Sequence, residues 1–376
     1  MNTHIFIVNE QTFKIHLEHM FAGIGAKTKT SPFLCNASEN DFNAIAERNL
    51  VSMIADISRI QIGDNIIFYL QSSKGKQGQF FGIFKAKSTA FFDENDADNY
   101  LKKELGKGLS YRILIGTSEY GVYSKGITEH EYLDSLEDKN HPYELCWSLI
   151  YRKLKGNRGC TMITNLEFKD LLNKLQKRNE KLSTSKCYTY DSINNKIIPS
   201  HENQTYSGRQ NPISITDRLL YKINNKKAFE SHLQAFILQN IKSLNLLKLP
   251  NQDFWIGNEV SCGIGMQRID ILIIQEDSQK AYFKVIELKD EVPKPQIVDI
   301  QLDWYIKWLF DYIIPNYNKE IEITPCIIAA KTSDEKIITH IKEYIFKNRN
   351  SHTTIHSTEY LAFNISNGEI QFEKIT

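Results

Sequence analysis

The clearest hydrophobic pattern lies in two short runs late in the chain. Arg268-Ile269-Asp270-Ile271-Leu272-Ile273-Ile274 is apolar except at its first and third positions. Val285-Ile286-Glu287-Leu288-Lys289 is a second run and ends in Glu-x-Lys. Short runs rich in Ile, Leu and Val predict buried strands. The polar stretch Gln275-Glu276-Asp277-Ser278-Gln279-Lys280 predicts a turn between them, so the pair predicts a β-hairpin.

Helical periodicity flanks this hairpin. Over 228–241, Leu233, Phe236, Ile237 and Ile241 recur at helical spacing, and Glu230 falls on the same core-facing stripe. Over 299–309, Gln301 and Tyr305 are four apart and share a helix face. The N-terminal part alternates strands with short helices. Strands are predicted at 4–8, 60–70, 79–86 and 111–115, and helices at 10–19, 41–48, 130–136 and 165–178. In the last of these, Leu166, Leu171, Leu172 and Leu175 supply the expected buried face. Such an alternation suggests a small α+β or barrel-like domain. Between 181 and 225 the pattern lapses, with one short strand expected around Cys187-Tyr188-Thr189-Tyr190, and the segment reads as a linker.

The hairpin brings chemistry with it. Side chains two apart on a strand share a face, so Glu287 and Lys289 point together and Asp270 can face them from the neighbouring strand. A carboxylate inside an apolar run is costly unless something compensates it. Two carboxylates and an ammonium on one side of a sheet suit a hard cation such as Mg²⁺. Solvated charges at strand ends are the plainer reading of Asp…Glu-x-Lys taken alone.

This constellation resembles the PD-(D/E)xK nuclease superfamily over roughly residues 226–376. The Arg-Ile-Asp strand, the Val-x-Glu-Leu-Lys strand and Gln301-x-x-x-Tyr305 are similar to the nuclease domains of NucS-type and RecB-like enzymes. The resemblance implies an α/β fold with a restriction-endonuclease-like mixed sheet flanked by helices. It implies Mg²⁺ or Mn²⁺ on Asp270, Glu287 and the Leu288 carbonyl, with Lys289 orienting the attacking water. Gln301 then helps hold the substrate or the site, with Tyr305 in support, and Glu230 matches a glutamate often found on the first helix. No proline precedes Asp270.

Composition adds limits. The 376 residues suffice for two domains, with 41% hydrophobic and 24% charged residues. The start Met1-Asn2-Thr3-His4-Ile5 is uncharged and reads as a first strand, not a secretory signal. No apolar run reaches membrane-spanning length, and the six cysteines form no Cys-x-x-Cys pair. A cytoplasmic protein with reduced thiols and no membrane association is the expectation.

Net charge is only +1, but residues 147–181 hold nine Lys or Arg against three acids. That excess reads equally as a phosphate-binding stripe or as the solvated face of a helix. Arg152, Lys155 and Arg158 are the favoured nucleic-acid contacts there, and Tyr305 in the second domain. Ile62-Gly63-Asp64-x-Ile66-Ile67-Phe68-Tyr69, followed by Phe81-Gly82-Ile83-Phe84, resembles the PUA-like superfamily, particularly EVE and YTH-type domains. The resemblance covers residues 1–180 and implies a barrel that binds nucleic acid, with a modified base held among aromatics. Phe33, Tyr69, Phe80, Phe81 and Trp147 are the candidate aromatics, though strand aromatics usually pack inward. Taken together, the expectation is a DNA endonuclease with a DNA-reading domain, in restriction or defence and with modified-base dependence as a variant. A NucS-like mismatch or structure-specific repair nuclease and a non-catalytic binding protein are the alternatives. Cutting both strands needs two active sites, which a homodimer would supply.

Overall fold

The computed structural model describes residues 1–26, 33, 36, 37, 46–73, 75–93, 100–105, 109–134, 139–149, 154, 159–179, 181, 182, 184–200, 205–262, 267–348, 350–366 and 368–376. The chain forms two compact units. The first is Met1–Asn140 with Ser148–Ser214, and the second is His141–Trp147 with Ile215–Thr376. Both are mixed α/β, each around a large mixed sheet.

The first unit runs β1 Thr3–Val8, α1 Glu10–Glu18, β2 Phe21–Ile24, α2 Glu47–Ser58, β3 Asn65–Leu70, β4 Gln79–Ala86, β5 Phe91–Phe92, α3 Lys102–Leu105, β6 Tyr111–Thr117, β7 Ile127–Thr128 and α4 Glu129–Leu133. It continues with β8 Cys160–Ile163, α5 Asn165–Arg178, β9 Cys187–Asp191, β10 Lys196–Ser200 and β11 Asn211–Pro212. The main sheet has the order β11-β5-β6-β4-β3-β1-β8, with β2 on β6 and β7 on β4. β1 runs parallel to β3 and antiparallel to β8. Every residue of β3 is buried, as its unbroken apolar run requires.

An aromatic core forms where α1 lies over the sheet. Phe13 meets Phe68 at 5.4 Å and Phe81 at 5.3 Å between ring centres. α1 begins with a capping box, in which the Asn9 side chain accepts the Thr12 N–H and the Thr12 hydroxyl accepts that of Asn9. Of the pocket candidates named above, Phe81 is inside this core, while Tyr69 and Phe80 are buried on the other face of the sheet, with Phe80 edge-on to Tyr132. Phe33 packs edge-on against Phe92 and Tyr111. Asp64 of the Gly-Asp turn is a fastening. Its carboxylate accepts the N–H groups of Asn2 (2.8 Å) and Gln61 (2.9 Å) and meets His4 Nε2 at 3.0 Å.

Helix α5 matches its expected bounds, but its phase differs. Phe168, Leu171 and Leu175 are buried, Leu172 is half-buried, and Leu166 faces out at 36% exposure. The larger Phe168 sets the stripe at i, i+3 and i+7, which turns Leu166 away. Residues 181–225, read as a linker, contain the β9–β10 hairpin of the first unit and open the first helix of the second. Expected helix residues 41–45 lie outside the described residues.

His16 of α1 yields a pH prediction. It is wholly buried between Phe21 and Phe68, and its Nε2 accepts the Gly23 N–H at 3.2 Å. Burial, reinforced by the Arg112 charge, lowers its pKa to about 3. The unfolded chain takes up a proton near pH 6.5 while the folded one does not. Stability therefore falls as pH drops from about 6.5 toward 3, by up to about 1.4 kcal/mol per pH unit from this one proton. His16→Phe should flatten that slope in urea titrations at pH 6.5, 5.5 and 4.5; an unchanged slope would assign the proton elsewhere.

The second unit runs α6 Thr216–Asn224, α7 Glu230–Asn240, β12 Phe254–Ser261, β13 Arg268–Glu276, β14 Lys280–Leu288, a π-helical turn Ile297–Leu302, α8 Asp303–Tyr312, β15 Glu320–Ala330, α9 Glu335–Glu343, β16 Thr353–Ile355, β17 Glu359–Ser366 and β18 Glu369–Lys374. Its sheet order is β12-β13-β14-β15-β17-β18, with β16 on β15. The β13–β14 hairpin is present, with Ile271 opposite Ile286. Its turn is shorter than the polar stretch suggested. Gln275 and Glu276 belong to β13, and Gln275 is buried, bonding the backbone of Leu249 through both side-chain ends. Asp277 closes the turn by accepting the N–H groups of Gln279 and Lys280. Residues His141–Trp147 join this unit through Trp147, whose ring lies 4.3 Å from that of Tyr312, and through the Tyr143 carbonyl, which accepts from Asn316.

Among the described residues, no helix is long and apolar enough to cross a membrane. Cys146, Cys160, Cys187, Cys262 and Cys326 are in no disulfide.

Candidate active site

The hairpin places its carboxylates together at one end of the second sheet. Asp270 is on β13, and its Oδ2 accepts the backbone N–H of Leu288 at 2.7 Å. This bond joins the start of β13 to the end of β14, where Glu287 stands. Glu287 is 2% exposed. Its Oε1 receives the Lys289 ammonium at 2.6 Å, and its Oε2 is buried with no hydrogen-bond partner. Lys289 also stands 3.8 Å from Glu230 at the start of α7. The Asp290 carboxylate accepts the Phe229 N–H at 3.2 Å and so pins the start of α7 beside the end of β14. Four of the expected residues are therefore gathered: Glu230, Asp270, Glu287 and Lys289.

Electrostatics follow from this crowding. Burial and the neighbouring Glu287 charge push the Asp270 carboxyl well above its usual range, with Glu230 and Glu259 adding to the effect. Burial also raises the Glu230 carboxyl, opposed by the Lys289 charge and reinforced by those of Glu287, Asp290 and Glu259. Burial works against the Lys289 ammonium, yet the charge and hydrogen bond of Glu287 raise it above its ordinary value. Burial and the Glu287 charge push the Cys262 thiol up to about 12. The site holds more negative charge than it can neutralise by itself.

Two residues that sequence reasoning passed over complete the cluster. Gln234, one turn after Glu230 on α7, donates to the Asp270 carbonyl at 2.9 Å. Its i+4 spacing from Glu230 is the signal that would have found it. Glu259 stands on β12 level with Asp270, its carboxylate held by Arg268 at 3.0 Å. Its φ is +51°, a left-handed conformation that is uncommon for a residue with a side chain. No sequence pattern announces that.

Tyr305 is buried on α8, and its hydroxyl is raised by burial and by the charges of Glu287 and Asp270. Gln301 lies on the π-helical turn, partly exposed, and joins none of the hydrogen bonds that tie the carboxylates together. The wider turn changes the phase between Gln301 and Tyr305 from that of a regular α-helix. Arg152, Lys155 and Arg158 lie outside the described residues. Nearby, Arg178 pairs with Glu131, Lys139 with Asp170, and Lys181 donates to the Glu119 carbonyl. Of these, only the Arg178–Glu131 pair neutralises a member of the basic excess.

Among the described residues, no three His, Cys, Asp or Glu side chains form a metal-binding group. The donor set that fits a cation is instead two carboxylates and a carbonyl. Glu287 Oε2 is an unsatisfied buried anion, and Asp270 stands next to it on the adjacent strand. Oxygen donors of this kind suit Mg²⁺ or Mn²⁺, which Asp270, Glu287 and the Leu288 carbonyl would hold.

The chain is thus a two-unit mixed α/β protein with a crowded carboxylate–lysine cluster in its second unit. No family model matches it, and no curated protein matches it. Among solved structures, a hypothetical protein from Leishmania major aligns at 10% identity and a TM-score of 0.30, over 47% of this chain and 96% of that one. Human THYN1 protein in complex with 5-methylcytosine-containing DNA aligns at 10% identity and a TM-score of 0.26, over 47% of this chain and 98% of that one. At these scores neither likeness bears on what this chain does.

Proposed function

We propose that the second unit is a Mg²⁺- or Mn²⁺-dependent endodeoxyribonuclease and that the first is a PUA-like DNA-reading domain. The observation that carries the proposal is Asp270 beside Glu287, with Glu287 Oε2 unpartnered and Lys289 on Oε1. A divalent ion held there would acidify a bound water and offset charge on the phosphate. Lys289, bonded to Glu287 and standing near Glu230, orients the attacking water and neutralises the phosphate. Leu288 holds Asp270 in place through its N–H, and Gln234 holds the Asp270 backbone, so the carboxylates are fixed before substrate arrives. Gln301, outside this bonded cluster, acts as a positioning group for the substrate.

The first unit is read as a DNA-recognition module on its strand-rich mixed sheet and its basic segment, and the role is restriction or defence. The test is incubation of the full-length protein with modified and unmodified duplex DNA, and with mismatched and branched duplexes, in Mg²⁺ or in EDTA. Cleavage confined to Mg²⁺ supports the reading. Preference for a modified duplex assigns restriction, and preference for a mismatch or branch assigns repair. No cleavage by well-folded protein, with Mn²⁺ binding no tighter than to Asp270→Asn, would leave a binding protein.

Gln301→Ala should slow cleavage by about tenfold, far less than loss of Lys289, because it removes positioning and no charge. Single-turnover rates would check the order; a larger loss at Gln301 would reverse the roles.

A further inference from the structure

The stretch after α9 folds against β16 and leaves a cavity of about 490 Å³. β16 is level with Ile321–Ile323 of β15, whereas Glu287 is level with Ile327. The cavity therefore lies toward the β13–β14 turn, away from the carboxylates. Its volume falls within the range of about 300–1,000 Å³ that takes a small molecule. The walls are fastened from outside. On one side, His340 Nε2 meets Asp299 Oδ1 of the π-helical turn at 2.7 Å, and the Lys347 N–H donates to Asp303 Oδ1 of α8 at 3.4 Å. On the other, His356 Nε2 meets Glu322 Oε2 of β15 at 3.1 Å.

Two features of the lining call for an occupant. Thr353 Oγ1 is buried and joins no hydrogen bond among the described residues. A hydroxyl shut away from water is costly unless something bonds it. Facing it, Ile345 is 68% exposed between Tyr344 and Phe346, whose rings meet edge-on at 5.0 Å. A molecule that bonds Thr353 and covers Ile345 removes both costs.

The same lining limits what that molecule is. Thr353, Thr354, Ser357 and Asn350 offer neutral hydrogen bonds, which a hydrocarbon would leave unmade. His356 is held by Glu322, which leaves the Lys342 ammonium, followed by the Glu343 carboxylate. That balances the charge of one phosphate and repels a chain of them. Hydroxyls on one part, a flat apolar ring on another and a single phosphate describe a nucleoside monophosphate.

We propose that this cavity binds a nucleoside 5′-monophosphate, its sugar hydroxyls bonding Thr353, its base covering Ile345 and its phosphate at Lys342. The site is independent of the nuclease reading, since it shares no residue with the carboxylate cluster.

The test is isothermal titration of the full-length protein in EDTA with AMP, GMP, CMP and UMP, with adenosine, with inorganic phosphate and with glucose. At least one monophosphate should bind, and AMP should bind more tightly than adenosine. Thr353→Val keeps the shape and removes the hydroxyl, so it should weaken binding about tenfold, the size of one hydrogen bond, while the melting temperature holds or rises. Ile345→Ser, at an exposed position that the fold does not need, should also cost about tenfold. Lys342→Ala should bring AMP down to the affinity of adenosine. Asp270→Asn should bind as the wild type does. Unchanged affinity in both Thr353→Val and Ile345→Ser would overturn the proposal, and so would binding that Asp270→Asn abolishes. No monophosphate bound more tightly than about 1 mM, or phosphate or glucose bound as tightly as the monophosphates, would overturn it as well.

Discussion

Asp270→Asn is expected to remove metal-dependent cleavage and, in EDTA, to raise the melting temperature. The first effect is a loss of at least about three orders of magnitude in single-turnover rate, the scale of removing a charge that stabilises the transition state. The second comes from the same crowding. Asp270 stands beside Glu287, whose Oε2 is buried and unpartnered, and its own carboxyl is pushed well above the usual range. For an acid whose folded pKa is raised, stability is lost as pH rises from its unfolded pKa through the folded one. At neutral pH the folded protein therefore carries that cost, and asparagine removes it. Asn can still accept the Leu288 N–H, so the fastening survives. A gain of about 1 kcal/mol would lift the midpoint by roughly 2–4 °C in a domain of this size. Calorimetry in EDTA, paired with cleavage in Mg²⁺, checks both halves. A variant that melts earlier, or that still cuts, would remove Asp270 from the proposed site.

Lys289→Ala is expected to be as damaging to the rate and opposite in its effect on stability. Its ammonium is bound to Glu287 Oε1 at 2.6 Å and is the counter-ion of a carboxylate that is 3% exposed. Removing it takes the ammonium away from Glu287 Oε1 and leaves a buried carboxylate without its counter-ion. Breaking a buried pair from one side is costly; with Lys289 itself 21% exposed, roughly 2 kcal/mol is the expected loss. Added Mn²⁺ should return part of that stability if the carboxylates take the ion, since a ligand that binds only the folded state stabilises it. Cleavage should not return, because the ion cannot replace an ammonium that positions water. Thermal melts with and without Mn²⁺ separate the two effects. A fully active Lys289→Ala would cancel its role.

The sequence made the hairpin legible because its apolar runs are buried, and the carboxylates Asp270 and Glu287 that interrupt them stand out. It also made α1, β1, β4 and α5 legible, since each has a clean period and a capping residue or turn at its boundary. It missed the burial of Gln275, because a glutamine beside Glu276 and Asp277 looks like a turn until Leu249 is seen to bind it. It missed Glu259 because a left-handed φ within β12 leaves no mark in the residue order. It read 181–225 as connection because the β9–β10 hairpin is short and polar, held mainly by pairing. The sequence places 141–147, with Trp147 as a candidate pocket aromatic, in the 1–180 domain, whereas the structure puts it in the second unit, since nothing local tells a loop which core it will join.

That last segment has a consequence for how the molecule is made. His141–Trp147 is translated in the middle of the first unit but belongs to the second. Its contact Tyr312 lies near the end of α8, 312 − 147 = 165 residues further on. At about 5–20 residues per second, the ribosome needs roughly 8–33 s to supply it. Throughout that interval the first unit can close around a bight of chain whose tryptophan has nowhere to go. A chaperone that holds aromatic loops has its window there, and a nascent chain stalled before residue 312 should be cut by protease at 141–147 while the finished protein resists.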